Sequence, residues 1–324
     1  MELYAINLNE KAVIGKLDPL IGREDELQRC IQILCRRSKN NPLFVGEAGV
    51  GKTALAEGLA QLIVKKKVPK LLSHCTVYSL DMGVLLAGTK YRGDFEKRFK
   101  SVLKALGKQT GAIVFIDEIH TLMGAGASDG TMDASNIIKP YLGRGQIQII
   151  GATTTSEFRK YFEKDRAFER RFQPIFCEEP VEDVAIEMIK ILQPKYEKFH
   201  RVTFLPDSII AAVKLSKRYI GERFLPDKAI DLMDEAAAEV KLAQAAGKRT
   251  DVQIRPEDIQ NVVSRWTGIP ITKLTEKEGE KLLHMEELIH EKFINHEPAV
   301  KAVSEAIRRG RIGLANANRP IASF

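Results

Sequence analysis

The sequence predicts an α/β protein: a parallel five-stranded sheet flanked by helices, followed by a small α-helical domain. Three observations carry this. Short apolar runs alternate with helical patterns between residues 22 and 177, and strands separated by crossover helices form a parallel sheet covered on both faces. The run Ala112–Asp117 is apolar up to its last residue, as in a strand buried on both faces. After Pro180 the apolar runs stop and helical periodicity takes over.

Taken in order, residues 1–20 are mixed in character, end in Asp18-Pro19, and read as an N-terminal linker. Leu27, Ile31, Leu34 and Cys35 share a face of a helix over 22–37. Pro42–Gly46 is a short buried strand, and Leu55, Leu59, Leu62 and Ile63 line one side of a helix over Thr53–Val64. Thr76–Leu80 is the next strand and Asp94–Leu106 the next helix. The strand Ala112–Asp117 precedes a helix over Ala134–Leu142, and Ile147–Ala152 and Pro174–Cys177 complete the five strands. The α/β domain is expected over 21–180 and a helical domain over 181–266, with helices at 182–199, 207–219, 226–246 and 256–266. Residues 267–281 are polar, contain Gly268, Pro270 and Gly279, and read as a linker. Leu282–Arg311 is helical again.

Composition narrows the function classes. At 44% apolar and 29% charged residues over 324 positions, the chain is neither disordered nor fibrous. No apolar run approaches the roughly 18 residues of a membrane-spanning helix. The net charge of +7 permits an acidic partner without arguing for one. The four cysteines (Cys30, Cys35, Cys75, Cys177) form no C-x-x-C pair and read as reduced thiols of a cytoplasmic protein. The N-terminus lacks a basic stretch followed by an apolar one, so it is not a signal peptide. His284, His290 and His296 recur every six residues, on different helix faces, and make no metal site.

Chemistry enters at Gly46, Glu47, Ala48, Gly49, Val50, Gly51, Lys52 and Thr53. This run is a complete G-x-x-x-x-G-K-[ST] motif between a strand and a helix, as a phosphate-binding loop requires. Its glycines let backbone N–H groups curl around phosphate oxygens, and the helix N-terminus adds a favourable dipole end. Lys52 is expected on the β- and γ-phosphates and Thr53 on Mg²⁺, with Ala54 continuing the loop into the helix. Asp117 and Glu118 close a buried strand, where an acidic pair is costly unless a cation or proton offsets it. Beside the phosphates Asp117 would hold Mg²⁺, and Glu118 would orient the attacking water. A hydroxyl in Gly151-Ala-Thr-Thr154 could reach that water, although threonine is common in strands anyway. From spacing alone, Arg170 and Arg171 read as a solvated helix end, or as fingers reaching a neighbouring subunit's γ-phosphate. Gly88–Gly93, with Tyr91 between Lys90 and Arg92, reads equally as a plain connecting loop or as one that grips an extended chain.

Together with Asp18–Arg23, Arg36–Pro42, Leu86–Arg98, Phe162–Asp165, Glu169–Gln173 and Leu225–Asp231, these motifs resemble the first ATPase module of the Clp/Hsp100 unfoldases, within the AAA+ class, and most closely the ClpA type. The resemblance implies an AAA+ P-loop fold and an ATPase with ATP and Mg²⁺ as cofactors. Catalytic roles fall to Lys52, Glu118, the sensor Thr154 and the trans-acting Arg170 and Arg171. Nucleotide contacts fall to the P-loop, to Ile21 and Gly22 of the Ile21-Gly22-Arg23 segment near the adenine, and to Pro226 and Asp227 of the segment Leu225–Lys228 in the closing small domain. Lys90, Tyr91, Arg92 and Gly93 become the substrate pore loop, and Gly124–Gly130 a second, lower one. The implied partners are other copies in a hexameric ring, substrate polypeptides, a ClpP-like peptidase and adaptor proteins, with no membrane or nucleic acid. Lys248 leads almost directly to Arg255-Pro256, leaving no room for the middle domain of ClpB and ClpC. Trp266–Pro270 and Ala306–Arg309 nevertheless resemble those two, so a ClpC- or ClpB-type chain without its middle domain is the alternative. Residues 282–324 resemble the start of a second module, and the family's N-terminal adaptor-binding domain has no counterpart here. The competing functions are a ClpB-type disaggregase and, less well supported, a nucleic-acid motor.

Overall fold

A computed structural model describes residues 4–87, 92–122, 135–143, 147–270, 283–290, 293 and 295–311. The chain divides into two compact units, Met1–Val263 and Ser264–Phe324.

In the first unit, apolar five- and six-residue runs form the strands β2 (Asn41–Val45), β3 (Thr76–Leu80), β4 (Ala112–Ile116), β5 (Gln148–Thr153) and β6 (Phe172–Phe176). Alternate residues of each strand feed opposite faces, which builds two cores. Leu43, Val45, Val114, Ile116 and Ile149 pack with Phe95 and Phe99 on one side. Phe44, Ile113, Phe115 and Ile150 pack with Leu27, Ile33, Leu55 and Leu59 on the other. Phe115 is fully buried, a contribution of roughly 2–3 kcal/mol. The covering helices are α2 (Glu24–Leu34), α3 (Lys52–Val64), α4 (Met82–Leu86), α5 (Arg92–Leu106) and α6 (Ser135–Gly143). Short helices α7 (Thr155–Glu157) and α8 (Arg166–Glu169) lie between β5 and β6, with a π-helical segment at Phe158–Phe162.

Among the described residues the sheet has six strands rather than the expected five; with β1 at Ala5–Asn7, their order is β1-β3-β4-β5-β2-β6. The extra strand β1 (Ala5–Asn7) comes from the segment read as a linker and pairs antiparallel with β3; α1 (Leu8–Val13) follows it. Asn9 fixes this arrangement. Its amide donates to the Cys75 carbonyl at 3.0 Å and its side-chain oxygen accepts from the Val77 N–H at 3.0 Å. β6 starts at Phe172, two residues before the expected Pro174. A proline is tolerated there because β6 is an edge strand, where a missing N–H leaves the ladder intact.

The helices α9 (Glu182–His200), α10 (Pro206–Tyr219) and α11 (Asp227–Ala245) pack around buried Ala185, Ile189, Ile209, Val213, Leu232 and Met233. This region is not purely helical, as the sequence suggested. β7 (Thr203–Phe204) and β8 (Gln253–Ile254) form a small parallel pair, with α12 (Pro256–Thr267) after it. Two-residue strands are too short to show any periodicity. In the second unit the expected continuous helix is two, α13 (Met285–His290) and α14 (Glu297–Arg311), interrupted where Asn295 and His296 adopt positive φ. Arg308 and Glu286 form an ion pair that joins them.

Candidate functional site

The site is built where β2 delivers the chain into α3. Gly51 caps α3 at φ 94°, a left-handed conformation that suits glycine, so the loop can reverse tightly into the helix. A cavity of about 760 Å³ opens over the loop, lined by the run Ala48–Ala54 together with Asp117, Glu118, Thr154, Ile21, Pro226 and Asp227. These residues come from separate stretches of sequence, and folding brings all of them to one cavity.

The Thr53 hydroxyl donates to Asp117 Oδ2 at 2.7 Å. A hydroxyl beside a carboxylate is the hard-oxygen donor set that Mg²⁺ takes when phosphates supply further ligands. Among the described residues no group of three or more His, Cys, Asp or Glu side chains could form an all-protein cage. Lys52 is half-buried, and its ammonium donates to the carbonyls of Gly46 and Glu47, each at 2.8 Å. Burial lowers its pKa, against the opposing pull of Asp117. Glu118 has φ 46°, unusual for a residue with a side chain, and its N–H donates to Asp117 Oδ1 at 2.9 Å. Strain of this kind concentrates at working sites. The Thr154 hydroxyl caps α7, accepting from the Glu157 N–H at 3.3 Å.

The helical region closes the cavity from the other side. At the start of α11, Asp227 lies so near the loop that a Cβ on Gly49 would sit 2.7 Å from the Asp227 Cβ. Burial and then Asp231 raise the Asp227 pKa. The segment joining β6 to α9 is held to α11 as well. Glu179 accepts from the Leu225 N–H at 2.7 Å and from Lys228 Nζ at 3.1 Å, and Lys228 also donates to the Ile220 carbonyl.

Several expected residues lie elsewhere. Gly46 and Glu47 face a separate cavity of about 300 Å³ behind the loop, alongside Cys177, whose thiol burial pushes up to about 12. Gly22 does not line the nucleotide-sized cavity. It packs against Val184 of α9, and its N–H donates to Glu24 at 3.3 Å. Arg170 and Arg171 precede β6 beside Asn41, at the opposite end of β2 from the loop that follows Val45. Five strand residues, roughly 16 Å, separate them from it. Lys90, Tyr91 and the 124–130 stretch lie outside the described residues, while Arg92 and Gly93 open α5.

Sequence reasoning missed other members of the site. His120, two residues beyond the acidic pair, lines the cavity and shares a hydrogen bond of 3.1 Å with the Thr153 hydroxyl. Met188, Leu192 and Ile230 supply an apolar wall, but their helical spacing is the same signal that marks ordinary core.

Fold and site together define a P-loop nucleotide-binding module closed by a helical lid. The AAA family (ATPase family associated with various cellular activities) matches residues 42–178, and the AAA lid domain matches 181–287. The chain is 45% identical over 383 residues to an ATP-dependent Clp protease ATP-binding subunit ClpA homolog of Cyanidium caldarium, covering all of this chain and 45% of that protein. It is 46% identical over 379 residues to the chaperone protein ClpB of Oceanobacillus iheyensis, covering all of this chain and 47% of that protein. The S. cerevisiae Hsp104-ADP complex superposes with a TM-score of 0.90 at 47% identity, over 98% of this chain and 54% of that one. The chain belongs to the Clp/Hsp100 family of AAA+ ATPases. It spans about half the length of the curated relatives it matches.

Proposed function

We propose that this chain is the first ATPase module of a hexameric Clp/Hsp100 ring that hydrolyses ATP and threads substrate polypeptide through its central pore. The observation that carries this reading is the meeting of the P-loop, the Thr53–Asp117 pair, Glu118 and the lid at one cavity. The P-loop N–H groups bind the phosphates and Lys52 turns from the loop carbonyls to the β- and γ-oxygens. Thr53 and Asp117 would hold Mg²⁺, which when bound would offset charge on the phosphate oxygens. Glu118 orients the attacking water, and Thr154 hydrogen-bonds that water or the γ-phosphate. Ile21, Met188, Leu192 and Ile230 cover the base. Arg170 and Arg171 lie too far along the sheet for their own site, which supports action on a neighbour's γ-phosphate. The segment Lys90–Gly93 grips substrate, and the lower loop is 124–130.

The module comprises an α/β domain over 21–180 and a lid over 181–266, with 267–281 as a linker and 282–324 as the start of a second module. Seven residues join α11 to β8, so no middle domain stands there. That supports a ClpA-like protein working with adaptors and a ClpP-like peptidase in the cytoplasm. The ClpB and Hsp104 matches support the disaggregase alternative equally in identity. Degradation of a folded substrate with added peptidase favours the first, and peptidase-independent recovery of an aggregated enzyme favours the second.

The primary test is Glu118→Gln. It is expected to bind ATP as tightly as the parent while phosphate release falls by roughly 10²- to 10⁴-fold, the scale of a lost general base. Unchanged turnover overturns the assignment of Glu118.

A further inference from the structure

Arg23 is a charged residue only 5% exposed, between the P-loop and the root of the lid. Its Nη2 donates to the carbonyl of Val50, in the P-loop, at 2.9 Å and to the carbonyl of Glu178, at the root of the lid, at 2.6 Å. Its Nη1 donates to Glu26 Oε1 at 2.7 Å, and its buried Nε has no hydrogen-bond partner among the described residues. Burying a guanidinium is costly, and one ion pair with a partly exposed glutamate is weak compensation. Two backbone carbonyls accept its remaining hydrogen bonds, one in the P-loop and one at the root of the lid.

The geometry at Val50 gives Arg23 a task. In a trans peptide the C=O and the following N–H point in opposite directions. Arg23 itself lines the cavity, and holding the Val50 carbonyl on its guanidinium turns the Gly51 N–H the opposite way, away from Arg23, in the loop whose Lys52 and Thr53 also line the cavity. A cradle of N–H groups works only if its carbonyls are kept out of it. The same Nη2 fixes Glu178, and its neighbour Glu179 holds Leu225 and Lys228 of the lid. We propose that Arg23 is a positioning residue that presets the phosphate cradle and ties it to the root of the lid. This rests on the nucleotide-binding reading above.

The test compares the parent with Arg23→Met and Arg23→Lys. Affinities for ADP and for adenosine are measured by titration, and thermal midpoints without ligand. Arg23→Met is expected to weaken ADP by roughly tenfold or more, the scale of lost hydrogen bonds to a charged donor, and to change adenosine less than threefold. Arg23→Lys keeps the charge but cannot bridge both carbonyls, so it is expected to fall between the two. Should Arg23→Met not fold, Arg23→Lys decides by the same ratio. Equal losses for ADP and adenosine, or no loss of ADP, overturn the proposal while leaving nucleotide binding in place. A parent chain that binds no ADP overturns the reading beneath it.

Discussion

Asp227 carries two opposing electrostatic effects. As the first residue of α11 it gains from the positive end of the helix dipole. Burial against the P-loop and the neighbouring Asp231 act the other way, and they win, because its pKa is raised. A carboxyl whose folded pKa lies above its unfolded value binds its proton more tightly in the folded state. Its charge then disfavours folding at neutral pH, and that penalty disappears as pH falls through the carboxylate range. Asp227→Asn is therefore expected to raise the urea midpoint at pH 7. The advantage should shrink as the titration is repeated at lower pH, and a constant difference would contradict the sign. The P-loop and the Asp117–Glu118 pair were legible at this scale because each is a contiguous run with a fixed chemical demand. The role of His120 was not, and Arg23 was placed near the adenine by resemblance without its tie to the loop, since their partners lie 33 and 27 positions away.

Between elements, the connection most exposed to a test is the one from β6 to α11. Lys228 is almost wholly buried and meets a partly exposed Glu179. Removing the lysine leaves that carboxylate without its cation and the Leu225–Lys228 turn without its anchor. Lys228→Met is expected to cost roughly 1–3 kcal/mol in chemical denaturation, below the usual range for a fully buried pair because water reaches Glu179. The double variant with Glu179→Gln should cost less than the two single variants added together, and strict additivity would show that the pair is not coupled. The long elements around this connection were readable from periodicity, which needs several turns or alternations to register. β1 has three residues and β7 two, so neither produces a pattern. β1 is held instead by Asn9, a single polar side chain reaching β3 from 66 and 68 positions away. Nothing local in the sequence announces such a contact.

Across the whole molecule, β2 joins the two halves of the proposed catalytic apparatus and keeps them apart. Its C-terminal end releases the P-loop. Its N-terminal residue Asn41 holds the arginine pair, with its amide on the Arg171 carbonyl at 3.0 Å and its side-chain oxygen on the Ile149 N–H at 2.8 Å. A strand paired on both sides fixes the separation, which supports the proposal that Arg170 and Arg171 act on a neighbour's site. The sequence offered the arginines as either a solvated helix end or trans-acting fingers, and their place on the sheet supports the proposal of the second. A mixing experiment follows from this. A chain carrying Arg170→Ala and Arg171→Ala retains an intact Glu118, and a Glu118→Gln chain retains both arginines. Each alone is expected to hydrolyse ATP poorly. In mixed assemblies some Glu118→Gln subunits place their arginines against the intact site of an arginine-free neighbour. Phosphate release from the mixture should then exceed that of either variant alone at equal total concentration. The excess should grow with protein concentration as subunits associate. If the arginines instead served their own site, or only the fold, mixing would give no more than the average of the two variants at any concentration.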